Sequence, residues 1–191
     1  MGGISSTWIL IGGLVLVAGM LIGAYNGLVA LRNRCRQAFS DIDVQLKLRH
    51  DLIPNLVETV KGYAGHEKDT LDAVVKARNA AIGAPQGSAG QVAAEGALSG
   101  ALGRLIALAE AYPDLKANTN FQHLQTELSD IENKIAAARR FFNNAVSEYN
   151  SRRESFPAVL FAGAMGFDAQ TFFNLDEGER KAAAAPPSVK F

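Results

Sequence analysis

The sequence predicts an all-α protein: an N-terminal transmembrane helix continuing into an antiparallel four-helix bundle with long helices. Three observations lead there. No charged side chain occurs before Arg32, so all nineteen basic and nineteen acidic residues lie beyond the first 31 positions. Past that point apolar residues recur every three or four positions, the period of a helix with one buried face. The six prolines stand well apart, and no stretch alternates apolar and polar residues long enough to suggest a sheet.

The first element is the anchor. Trp8 to Ala24 reads WILIGGLVLVAGMLIGA, and the uncharged run extends from Met1 to Leu31. About 20 apolar residues suffice to cross a hydrocarbon core as a helix, where lipid offers the backbone no outside partner. A cleaved signal peptide would want cations ahead of the apolar core, and none is there. Arg32, Arg34 and Arg36 follow the span, with Lys47 and Arg49 beyond, so the positive-inside rule predicts an outside N-terminus and a cytoplasmic body. Within the span Gly19, Gly23 and Gly27 recur every fourth residue, a spacing that lets two membrane helices approach closely. Glycine is also simply common in such helices.

The body follows. Leu28, Leu31, Cys35, Ala38, Ile42 and Leu46 form a seam that continues the membrane helix to an expected end near Arg49-His50. Asp51 or Pro54 then opens a second helix, with Ile53, Leu56, Val60, Tyr63, Leu71, Val74 and Ala81 inward and Gly62 and Gly65 weakening its middle. The run from Gly83 to Gly90 is a loop by composition. Ser88 and Gln91 have capping-box spacing and open a third helix, with the stripe Leu98, Leu102, Leu105, Ala109 and Tyr112. Thr119 and Gln122 repeat the spacing ahead of the longest helix. Its seam, Phe121, Leu124, Leu128, Ile131, Ile135, Ala138, Phe142, Ala145 and Tyr149, alternates intervals of three and four, as coiled coils do. Four such stripes are buried most economically by antiparallel packing at shallow angles.

Phe156 to Phe167 is twelve residues without a charge, too short to span a bilayer. It reads either as a strap closing one end of the bundle or as an apolar surface for a partner or the membrane interface. Three divisions result: tail and anchor at 1–31, bundle and strap at 32–167, and a C-terminal tail at 168–191 in which Phe191 could dock.

Little in the chain suggests chemistry. Balanced charge removes the basic excess that drives nucleic-acid binding. One cysteine excludes an intramolecular disulfide framework and a cysteine-based zinc finger. His50, His66 and His123 lack metal-ligand spacing, and no Gly-rich loop ends in Gly-Lys-Ser/Thr. Cys35 falls on an apolar seam, which favours packing over nucleophilic chemistry. No catalytic, cofactor-binding or metal-binding residue is therefore expected. The densest polar cluster, Asp41 to Asp51, is a solvated helix face leading into an interhelical turn, a carboxylate-lined site between helices, or a polar partner surface. Asp41, Asp43, Arg49, His50 and Asp51 are its candidate residues, and Phe156, Phe161 and Phe167 those of the strap.

Several runs carry a family resemblance: Tyr25-Asn26-Gly27-Leu28-Val29-Ala30-Leu31-Arg32-Asn33, then Ser40-Asp41-Ile42-Asp43-Val44-Gln45-Leu46-Lys47 and Arg49-His50-Asp51-Leu52-Ile53-Pro54-Asn55-Leu56-Val57. Gly62-Tyr63-Ala64 with His66-Glu67, Asn143-Asn144-Ala145-Val146 with Tyr149-Asn150, and the closing Pro187-Ser188-Val189-Lys190-Phe191 belong to the same pattern. Together they closely resemble the bacterial LemA family across nearly the whole chain. Phe39 departs from the Trp expected there, and an aromatic packing role survives the swap. The resemblance implies one membrane helix with a short N-terminus outside, a helical-bundle body and no established reaction. Magnetosome-linked relatives imply a part in organising membranes, and family neighbourhoods imply envelope partners such as membrane peptidases.

The expected function is thus a non-enzymatic scaffold in the bacterial inner membrane, single-pass, without cofactor, that self-associates as a homo-oligomer or recruits partners. The alternative is a binding or signalling adaptor for another membrane protein.

Overall fold

The computed structural model describes residues 2–173, and these are α-helical without a strand among them. The helices are α1 (Gly2–Ala64), α2 (Lys68–Gly83), α3 (Ala89–Ala109), the single turn α4 (Pro113–Lys116) and α5 (Thr119–Glu154), followed by a 3-10 turn at Ala158–Leu160. The closing Pro187–Phe191 motif and the expected C-terminal tail from residue 174 onward lie outside the described residues.

The long first helix corrects two expectations. The sequence places a helix end near Arg49-His50 and a new start at Asp51 or Pro54, yet α1 runs unbroken through Pro54. A proline ring has no N–H to give the carbonyl four residues earlier, which ordinarily breaks or kinks a helix. That carbonyl belongs to His50, and Arg78 Nε on α2 donates to it at 2.7 Å. The donor lost from the helix is replaced by tertiary structure. The break comes instead at Gly65, where an added Cβ would stand 3.0 Å from the Lys61 carbonyl. Tyr63, expected inward, is exposed, and its hydroxyl accepts from Asn118 Nδ2 at 2.8 Å.

The starts of α3 and α5 are set by side-chain caps. Ser88 Oγ accepts from the Gln91 N–H at 3.1 Å, while Gln91 Oε1 accepts from the Gly87 N–H at 2.7 Å. This is a capping box displaced by one residue on its return leg. The cap of α5 is Asn118 rather than Thr119: Asn118 Oδ1 accepts from the Phe121 N–H at 2.9 Å. Gln122 Nε2 donates to the Lys116 carbonyl instead of reaching back to a cap. Tyr112, expected on the α3 stripe, lies past the end of that helix.

The chain forms two compact units, each combining segments distant in sequence. The first comprises α1 up to Ser40 together with Arg140–Phe172. Its core takes Ala24, Leu28, Cys35 and Ala38 from α1, Phe142, Ala145, Val146 and Tyr149 from α5, and Ala158, Ala162 and Phe167 beyond. The Phe39 ring meets Phe142 edge-on at 5.6 Å, so the aromatic substitution at position 39 does pack. The second unit comprises Asp41–Arg139 with Phe173. There α1 contributes Ile42, Leu46, Ile53, Leu56 and Val60, α2 Leu71, Val74 and Ala81, α3 Leu98, Leu102, Leu105 and Ala109, and α5 Phe121 to Ile135 on its expected seam. Each fully buried Leu, Ile or Phe contributes roughly 1.5–3 kcal/mol relative to exposure.

Candidate functional site

Three groups of residues stand apart from this core packing: the apolar face of the N-terminal helix, a buried charge network in the second unit, and the strap of the first.

From Trp8 to Ile22 the large apolar side chains of α1 are all exposed, on every face of the helix. Burial begins at Ala24 and Leu28. A helix apolar all round demands an apolar solvent, whereas one with a single buried stripe suits water. An added Cβ at Gly19, Gly23 or Gly27 would meet nothing within 4 Å, so the described chain leaves that glycine face uncovered. A second helix, α3, is also long and apolar enough to cross a membrane, but its seam packs into the second unit and carries buried Gln91 and Glu95.

The network centres on Arg49, which the sequence reading places on a polar partner surface. The structure buries it completely. The seam of α1 reads Leu46, Arg49, Ile53, Leu56, so Arg49 occupies a core position. Its guanidinium donates to Glu95 Oε2 on α3, to Ser99 Oγ at 2.9 Å and to Glu132 Oε1 on α5 at 2.7 Å. His50 Nε2 stands 3.1 Å from Glu95 Oε1 and 3.4 Å from Oε2, straddling the carboxylate. Burial alone would raise the Glu95 pKa, but the hydrogen bond from His50 and the charge of Arg49 outweigh it and hold the carboxyl below its ordinary value. Asp43 is raised instead, by burial first and then by the Glu95 charge, against a lowering hydrogen bond with Gln91. With Arg78 on the His50 carbonyl, the network ties α1, α2, α3 and α5 together. It cross-links helices; among the described residues no three His, Cys, Asp or Glu side chains group as a metal site.

Asp41 and Asp51 are exposed and Asp43 is half-buried, so that candidate surface keeps its carboxylates and loses its arginine. Sequence reasoning misses Glu95, Ser99, Glu132 and Arg78, and reads Gln91 only as a capping residue. One signal is available: the α3 seam extends backward at the same spacing from Leu98 to Glu95 and Gln91. A charge on a seam implies a buried countercharge.

The strap folds back onto the first unit. Phe167, named as surface by the sequence, is buried, with its ring edge-on to Tyr25 at 5.4 Å and Arg32 over it at 4.8 Å. Arg153 Nε donates to the Phe167 carbonyl and the Tyr149 hydroxyl to that of Asp168, at 2.7 and 2.9 Å. Asn150 pairs with the Gln170 backbone through both ends of its amide. Gly166, in the left-handed region at φ 71°, makes the turn that returns the Phe167 N–H to the Ala162 carbonyl at 2.9 Å. Phe161 is half-buried, while Phe156, Val159, Leu160 and Met165 remain exposed. Cys35 lies in the same unit, and burial raises its thiol pKa despite the lowering charge of Arg34. That reduces the thiolate nucleophilic chemistry needs.

Residues 38–191 match the LemA family. The chain belongs to the LemA family. Magnetosome protein MamQ of Magnetospirillum gryphiswaldense is 27% identical to it over 186 residues, covering 84% of this chain and 68% of the relative. Magnetosome protein MamQ 2 of Paramagnetospirillum magneticum is 28% identical over 178 residues, covering 80% and 65%. Protein LemA of Metamycoplasma hominis is 26% identical over 159 residues, covering 83% and 73%. The chain thus spans about two thirds of the length of the magnetosome proteins it matches. None of these names denotes an enzyme. Together with the long apolar helix, they point this LemA-family chain to membrane association.

Proposed function

We propose that this LemA-family chain is a non-enzymatic membrane-anchored protein that self-associates or recruits protein partners at the bacterial inner membrane. One observation carries the reading: a single unbroken helix, α1, exposes apolar side chains on all sides up to Ile22 and is buried along one seam from Ala24 onward. Such a helix suits lipid over its first part and protein over the rest. In this reading residues 1–31 are the anchor, the arginines from Arg32 onward keep the body in the cytoplasm, and the N-terminus lies outside. The kinship with magnetosome proteins supports a role in membrane organisation.

Self-association has two candidate surfaces, the Gly19, Gly23 and Gly27 face and the folded body. The masses of the full chain in detergent and of a chain beginning at Ala24, which keeps the first buried residue, separate them. Assembly of both places contacts in the body and supports a scaffold. Assembly of the full chain alone assigns it to the glycine face. Two monomers overturn the scaffold and leave the adaptor reading, with Asp41 and Asp51 as the exposed carboxylates for a partner.

A further inference from the structure

We infer that the strap is a second membrane contact: its exposed side chains Phe156, Val159, Leu160 and Met165 dip into the headgroup–acyl boundary beside the anchor helix. This rests on the membrane-anchor reading above. Three observations select lipid as the occupant. First, the strap is continuous with the span. Phe167 packs against Tyr25 and under Arg32, the stretch of α1 where exposed apolar residues give way to buried ones. Whatever solvent surrounds residues 8–23 therefore ends where the strap lies.

Second, the exposure is concentrated in large apolar groups. Phe156 is 68%, Leu160 71% and Met165 57% exposed, although the same segment buries Ala158, Ala162 and Phe167. The segment holds no charge from Phe156 to Phe167. Water would select polar residues at such open positions, whereas interfacial elements bury apolar side chains about 5–10 Å into the boundary. Tyr25, itself exposed, supplies the amphipathic aromatic common at that depth.

Third, the charge is complementary. The first unit holds six arginines, Arg32, Arg34, Arg36, Arg140, Arg152 and Arg153, against the three carboxylates Glu148, Glu154 and Asp168. A unit with this excess of arginine over carboxylate, carrying an uncharged apolar strap, fits the anionic headgroups of a bacterial inner leaflet. Hydrogen bonds from Arg153, Tyr149 and Asn150 hold the base of the strap, so its tip is presented by a fixed structure.

The single tryptophan makes the test direct. Trp8 lies in the span, so the natural full-length chain reports on the anchor. A full-length Trp8→Phe/Leu160→Trp variant moves the only indole to the strap, and position 160 is open enough to accept the larger ring. Both proteins are reconstituted in vesicles of phosphatidylethanolamine and phosphatidylglycerol whose acyl chains carry bromine near the headgroup. The inference expects the lipid bromine to quench the strap indole, with a blue-shifted emission and protection from aqueous acrylamide. Quenching of Trp8 in the natural chain but not of the indole at position 160, with acrylamide reaching the latter freely, overturns the strap contact and leaves the anchor intact. If neither indole is quenched, the anchor reading fails and the inference falls with it. A companion Trp8→Phe/Phe156→Trp protein repeats the reading at a second exposed position, so that poor folding of one variant cannot decide the result.

Discussion

Two of the arginine–glutamate pairs among the described residues, alike in chemistry, stand in opposite environments. In the first unit Arg34 Nη1 lies 2.7 Å from Glu148 Oε2, with the two side chains 49% and 53% exposed. In the second unit Arg49 and Glu95 are both fully buried. Water screens the first pair and already solvates both partners, so little is gained by forming it. Burial strips the second pair of water, a cost of several kcal/mol per ion that only their mutual attraction and added hydrogen bonds offset. The first unit puts its charges on the outside and aromatic rings at its core. The second puts a charge network into its core and lets it join four helices.

The comparison breaks first at Arg49. Arg49→Met leaves Glu95 buried without its main countercharge and is expected to cost about 3–5 kcal/mol in denaturant unfolding. The double variant Arg49→Met/Glu95→Met removes both charges and is expected to recover most of that loss. A single-variant cost below about 1 kcal/mol would mean the pair is solvated after all. The same pair sets a pH dependence. Glu95 is held below its ordinary value of 4.5 in the folded state, so the unfolded chain protonates first as pH falls. The stability it contributes is complete above that ordinary value and is lost as pH drops through the folded one. Asp43, whose folded value is raised above its ordinary 3.8, acts in the opposite sense. Acid unfolding of Glu95→Gln should therefore show a shallower loss with falling pH than the natural chain; an equal slope removes Glu95 from the account.

Next in size is the repair at Pro54. Arg78→Met leaves the His50 carbonyl without a donor and is expected to cost about 1–3 kcal/mol. In a Pro54→Ala background the residue 54 N–H can take that carbonyl, and the cost of losing Arg78 should shrink. The coupling is read from the four unfolding midpoints of the cycle. Additive effects would show that Arg78 does not stand in for the missing N–H.

Pro54 also marks what the sequence can convey. The α5 seam is legible from Phe121 to Tyr149 because a repeat of three and four is a local pattern, and burial follows it at every position except Ala138, which is half-buried. The passage of α1 through Pro54 is not legible, because its cause lies 28 residues from His50 on another helix. The cap of α5 is missed by one position because Asn118 and Thr119 are both capping residues and only geometry separates them. The charge network is half-visible. Arg49 and Glu95 fall on their seams, but Glu132 lies beside the buried Ile131 on α5, and nothing local marks it as a partner. Phe167 stands only as a surface candidate along with its neighbours, since an uncharged run carries no period to say which ring turns inward.

The strap supplies a smaller effect. Gly166→Ala forces a Cβ into the left-handed region and is expected to cost about 1–2 kcal/mol, although the space around it is open. The loss should appear as faster amide exchange at Phe167 and in the strap. Undiminished protection of the Phe167 N–H would show that the turn tolerates a side chain.

The smallest effect belongs to the exposed pair and completes the comparison. Arg34→Met removes the contact with Glu148 and the placement of Arg34 over the Phe141 ring, 5.6 Å from its centroid. Exposed ion pairs contribute about 0.2–1 kcal/mol and cation–π contacts in water about as little, so the loss should not exceed roughly 1–1.5 kcal/mol. Salt separates the two arginines further. Raising ionic strength screens an exposed pair within a few ångströms of bulk water, whereas a buried pair has no ions near it. The cost of Arg34→Met should therefore shrink as salt rises, and that of Arg49→Met should hold. Equal salt dependence of the two would mean that both arginines meet solvent.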